Sequence, residues 1–82
     1  MKLINIGFGN LVSSDKIITI VSPDSAPVKR MIKIAKEANK LIDASGGRKT
    51  RAVIVMESDH IILSYLTLEM CQDRLLKEET DE

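Results

Sequence analysis

The sequence is short of aromatic side chains, cross-links and long apolar runs, and each shortage excludes something. Among 82 residues only Phe8 and Tyr65 are aromatic. Holding nucleic acid mainly by base stacking needs several aromatic faces, so that mode is excluded as the principal one. The single cysteine, Cys71, forbids an intramolecular disulfide, and the reducing cytoplasm is the expected compartment. No apolar run approaches the roughly 20 residues of a membrane span. Asn5, Gly7, Gly9 and Asn10 interrupt the first twelve residues, so no secretory leader and no membrane partner are expected. A lone histidine, His60, with no second His or Cys beside it, cannot build a zinc site.

What remains is an aliphatic core of Ile, Val, Leu and Met. The length suits one domain, expected over residues 1–77 with an acidic tail at 78–82. Such a domain buries only about 60% of its unfolded surface, and small uncross-linked domains often gain stability by associating.

A formal net charge of zero hides a division. Residues 1–51 carry ten Lys/Arg against four Asp/Glu, a net of +6; residues 52–82 carry two against eight, a net of −6. Such asymmetry fits a polyanionic partner, a self-complementary assembly, or halves that simply intermix on folding.

Leu3–Ile6 reads as a first strand, bent or bulged at Gly7-Phe8-Gly9 and resumed at Asn10-Leu11-Val12. Ser13–Lys16 is a turn by composition. Ile17–Val21 is a β-branched strand. Asp24 or Ser25 can cap a helix that has Pro27 in its first turn and runs to about Asn39. Val28, Met31, Ile32, Ala35 and Ala38 form its apolar stripe. Lys29, Lys33, Lys36 and Lys40 fall within about 60° of one another on another face.

Leu41–Ala44 is a short strand, Ser45–Thr50 a glycine-bearing turn, and Arg51–Met56 and His60–Tyr65 a hairpin. Thr67 can cap a last helix. These elements predict an α+β fold with a small, mostly antiparallel sheet of about five strands and two helices. Ile17–Val21 and Val53–Met56 are apolar on both faces. A helix over one face and a second subunit over the other would cover them, which predicts a homo-oligomer.

No catalytic constellation emerges. Gly7-Phe8-Gly9 is followed by a strand, not the helix that a dinucleotide fingerprint needs. Gly46-Gly47-Arg48-Lys49-Thr50 lacks P-loop spacing. His60 beside Asp59 or Glu57 reads as a turn residue with a local hydrogen bond, and Cys71 as an inert core residue. Ser13, Ser14 and Ser64 have no evident base. Asp43 is the one carboxylate expected to be buried, bracing Arg48 or Arg51.

The basic turn stands apart. Two glycines let the backbone curve so that Arg48 and Lys49 project, with Arg51 just beyond. Arginine takes a phosphate or a guanine edge bidentately; lysine acts as a point charge. Lys16 is a further basic turn residue, and Lys29, Arg30 and Lys33 on the helix are secondary candidates. A solubilising turn is the plain alternative.

The stretches Ile4–Asn10, Ser22–Arg30, Gly47–Val53 and Ser58–His60, in this order, resemble the RemA family over about residues 2–66. These are bacterial regulators of extracellular-matrix genes. The resemblance implies binding to double-stranded DNA and activation of matrix and biofilm operons by a cytoplasmic, nucleoid-associated protein. It implies no catalysis and no cofactor; no metal and no small-molecule substrate are expected either. It also implies a ring-like homo-oligomer and a fold similar in part to the LytTR DNA-binding domain. The family's DNA-contacting positions match Lys16, Arg48 and Lys49. Lysine stands at Lys16 and Lys49 where arginine is common, which keeps charge but loses bidentate geometry. Pro27 matches a family proline and reads as structural. The rival reading is a non-catalytic, self-assembling interaction module with no DNA partner.

Overall fold

The computed structural model describes residues 2–80, with side chains as far as Lys77. Six strands and two helices follow in the order β1 (Leu3–Asn5), β2 (Leu11–Ser13), β3 (Ile17–Val21), α1 (Ala26–Glu37), β4 (Leu41–Asp43), β5 (Ala52–Met56), β6 (Ile61–Ser64) and α2 (Leu68–Thr80). A single 3-10 turn, Ser14–Lys16, joins β2 to β3. The α+β class expected from the sequence is found. The acidic stretch 78–82 begins in the last turn of α2, and its side chains lie outside the described residues.

The strands form two sheets, one of β1 and β2 and one in the order β3-β5-β6-β4. The larger sheet is mixed. β5 is antiparallel to β3 and β6, whereas β4 pairs parallel to β6, with Leu41 opposite Ile61 and Asp43 opposite Leu63. β3 and β4 therefore run parallel at opposite edges, and α1 crosses the sheet between them.

The segment around Gly7 differs from the sequence expectation. It is not a bulge in one strand but the tip of a hairpin: β1 and β2 pair antiparallel, Leu3 with Ser13 and Asn5 with Leu11. Gly7, Phe8 and Gly9 have φ of +113°, +54° and +75° and turn the chain back.

Local chemistry sets the ends of α1. The Ser25 side chain, not Asp24, accepts from the Val28 N–H, and Pro27 sits in the first turn. At the other end Asn39 adopts φ +60°. The Lys40 N–H bonds the Ala35 carbonyl and the Asn39 N–H the Lys36 carbonyl. This Schellman closure satisfies carbonyls that a helix end otherwise leaves unpaired.

Side chains alternate along β5 and β6 and divide the core. Val53 and Ile61 face α1, packing with Val28, Met31, Ile32 and Ala35. Ala38, expected in that stripe, is exposed at the helix cap. Ile54 and Ile62 face the other way, onto Ile4, Ile6 and Val12 of the first hairpin. Ala52 packs with Leu66 and Cys71 of the α2 region. Elements of the same chain thus pack on both faces of the central strands β5 and β6. On the face expected to take a second subunit, the β1–β2 hairpin and the α2 region cover β5 and β6. Apolar surface is left at the sheet edges and on the helices. Ile18, at an irregularity in edge strand β3, is 61% exposed, and Leu11, Ile34 and Leu76 also face solvent.

Two polar contacts lock the hairpin on. The wholly buried Ser64 hydroxyl donates to the Ile6 carbonyl at 2.7 Å and accepts from the Leu66 N–H at 3.1 Å. Arg74 Nη1 donates to the Asn5 carbonyl at 2.7 Å.

Candidate functional site

The basic turn is built from its base upward. Asp43 closes β4, and its Oδ1 accepts from both the backbone N–H and the hydroxyl of Ser45. These two bonds hold the Asp43 carboxyl below the usual carboxylate range, against a smaller opposing effect of burial. Asp43 is exposed, not buried, and these bonds go to Ser45 instead of Arg48 or Arg51. It shapes the turn from its root. Gly46 and Gly47 follow with φ of +64° and +84°, and the Arg48 N–H returns to the Ser45 carbonyl at 3.1 Å. A pair of positive φ values at the turn centre is the geometry that glycine adopts without a Cβ penalty.

Arg48 leaves this turn toward two rings. Its guanidinium carbon lies 5.3 Å from the Tyr65 ring centroid and 5.9 Å from that of Phe8. The rings are themselves 4.9 Å apart, tilted by 48°. These distances are within cation–π range. Residue spacing does not mark either aromatic as a site residue. The available signal was their scarcity: the only two aromatic side chains of the chain meet at its exposed arginine turn.

Lys49 and Arg51 are exposed and line a cleft of about 370 Å³ with Asp24, Thr67 and Glu69. The backbone N–H of Arg51 donates to Ser64. Lys16 is placed differently. It ends the 3-10 turn, and its carbonyl accepts from the Glu57 N–H at the far end of β5. One strand length, roughly 20 Å for six residues at about 3.3 Å each, separates that end from Arg51. The fold brings Arg48, Lys49 and Arg51 together and sets Lys16 apart.

Lys29, Arg30 and Lys33 are exposed on α1. That helix covers the sheet face opposite the first hairpin, while Pro23 and Asp24, just before it, line the same cleft as Lys49 and Arg51. Folding places two acids of the second half beside cations of the first. Glu57 lines a surface cavity with Lys16, and Glu69 lines one with Lys49.

His60 Nδ1 lies 2.7 Å from the Ser58 hydroxyl. Cys71 is fully buried, and desolvation raises its thiol pKa, opposed in part by Arg74. Among the described residues no group of three or more His, Cys, Asp or Glu side chains could hold a metal ion, and no helix is long and apolar enough to cross a membrane.

A family model described as extracellular matrix regulatory protein A-like matches residues 3–75. The chain belongs to the RemA-like family. Its members include the extracellular matrix regulatory protein A of Bacillus subtilis, 60% identical over 80 residues that cover 96% of this chain and 90% of that protein. A relative from Geobacillus kaustophilus, named for a regulatory role, is 63% identical over 75 residues, covering 92% of this chain and 86% of its own. One from Caldicellulosiruptor saccharolyticus is 57% identical over 81 residues, covering 99% and 80%. The RemA-like match spans every strand of the fold and both parts of the basic site.

Proposed function

We propose that this protein is a DNA-binding transcriptional regulator that activates extracellular-matrix genes, without catalysis or a cofactor. The observation that carries the reading is the Arg48 turn. An arginine raised on two glycines, backed by two rings and flanked by Lys49 and Arg51, is suited to a polyanion with paired acceptors. Membership of the RemA-like family, with a relative named as a matrix regulator, supports the same reading. The protein would act in the cytoplasm at the nucleoid.

A ring-like homo-oligomer, with a partial likeness to the LytTR DNA-binding domain, belongs to this proposal. Each protomer offers two basic points about one strand apart. Repeating them around an assembly multiplies individually weak contacts. The exposed Ile18 on edge strand β3, beside a cleft of about 480 Å³ that also takes in Leu68 and Leu75, offers apolar surface for that assembly.

The same exposed edge favours the second reading, a self-assembling module that needs no DNA. Size-exclusion chromatography with light scattering, with and without promoter duplex at two salt concentrations, separates the two. The DNA reading expects an oligomer that survives salt while DNA binding falls. It also expects Arg48→Ala with Lys49→Ala to lose DNA and keep the oligomer. An oligomer that dissolves in salt and never shifts promoter DNA would overturn it.

A further inference from the structure

Burial does not explain where Phe8 sits. The ring is 56% exposed, yet the backbone beneath it is strained and clamped. Phe8 holds φ +54°, a region that bulky residues rarely enter. The strain is kept from relaxing by the hairpin tip: Asn5 Oδ1 accepts from the Gly7 N–H at 2.7 Å, and Asn10 Nδ2 donates to the Gly7 carbonyl at 2.9 Å.

Two glycines clear the space the rings use. A Cβ on Gly7 would collide with the Tyr65 ring, and a Cβ on Gly46 with the Phe8 ring. The strained residue, the clamp and both close approaches converge on one result, the pair of rings against the Arg48 guanidinium. Retained backbone strain collects where a geometry serves function.

From this we infer that Phe8 and Tyr65 are positioning residues for Arg48, a two-ring platform that makes Arg48 the directional reader of the site. A cation–π contact holds a guanidinium against the ring faces without consuming its N–H donors, which remain for a paired acceptor on DNA. Lys16 and Lys49 present point charges with no such orientation. Affinity at low salt then comes from all the cations, whereas discrimination between sequences depends on Arg48 and its platform. This rests on the DNA-binding reading and adds to it the residues that confer orientation.

The test compares Phe8→Leu, Phe8→Tyr and Tyr65→Phe with the parent, each with Arg48 present and with Arg48→Ala. Fluorescence anisotropy reads binding to a labelled promoter duplex and to a random duplex of equal length across a salt series. Phe8→Leu keeps apolar bulk at an exposed site, and its melting curve checks the fold. Its expected effect is a roughly threefold to tenfold loss of promoter affinity, the value of one cation–π contact. The slope of log K against log salt stays unchanged, because the charge is the same. The loss vanishes when Arg48 is already alanine, and Phe8→Tyr and Tyr65→Phe retain parental binding. An equal loss in both backgrounds, or none in either, overturns the platform while leaving DNA binding intact. A parent protein that binds neither duplex overturns the reading beneath it.

Discussion

Lys16 and Arg51 stand at opposite ends of one strand. The Lys16 carbonyl accepts from Glu57 just past the end of β5, and the Arg51 N–H donates to Ser64 just before its start. Sites so far apart with no shared partner are energetically independent. Lys16→Ala and Arg48→Ala should therefore weaken DNA binding additively in log K. Each should flatten the salt dependence by about 0.9 for every phosphate that is no longer neutralised. A salt titration of both single variants and the double variant checks this. Strong coupling between them would place the two residues on one acceptor.

Gly46 and Gly47 carry similar φ but different surroundings, so alanine separates strain from collision. Gly47→Ala meets open space and should cost about 1 kcal/mol for the left-handed backbone alone. Gly46→Ala carries that cost and also drives into Phe8. It should melt lower than Gly47→Ala and shift the Phe8 ring resonances, which Gly47→Ala should leave in place.

Ser64 is the buried polar joint between the first hairpin and the main sheet. Ser64→Ala strips the Ile6 carbonyl and the Leu66 N–H of a partner. An unpaired buried polar group costs about 1–3 kcal/mol, so urea unfolding should show a loss of about 2–3 kcal/mol. A change below about 0.5 kcal/mol would mean that water replaces the hydroxyl.

The lowered pKa of Asp43 sets the sign of one acid dependence. A carboxyl depressed in the folded state stabilises above its unfolded pKa, and that stabilisation disappears as pH falls through the folded value. Asp43→Asn should leave a shallower loss of stability between neutral and strongly acid pH than the parent shows. Because the group is exposed, the effect should be small, and an unchanged acid limb would assign the ordering of the turn to Gly46 and Gly47 alone.

Much of this was legible in the sequence where the cause is local. The β-branched run Ile17–Val21 is β3 as expected. Ser25, Pro27 and Asn39 bound α1 through caps that involve only nearby residues. Thr67 accepts from the Met70 N–H, as its place before α2 predicts. The exposed basic turn was visible because paired glycines before Arg48 admit positive φ.

Only the tertiary structure decided the rest, since those features depend on partners distant along the chain. Composition could not show that Gly7-Phe8-Gly9 reverses the chain, or that the resulting hairpin covers a sheet face assigned to another subunit. A parallel β4–β6 pair has no local signature, because an intervening strand supplies the connection. The meeting of Glu57 with Lys16, and of Glu69 with Lys49, across the two oppositely charged halves likewise depends on the fold. Phe8, Arg48 and Tyr65 belong to three different connections, and the packing of the hairpin against β6 is what makes them neighbours.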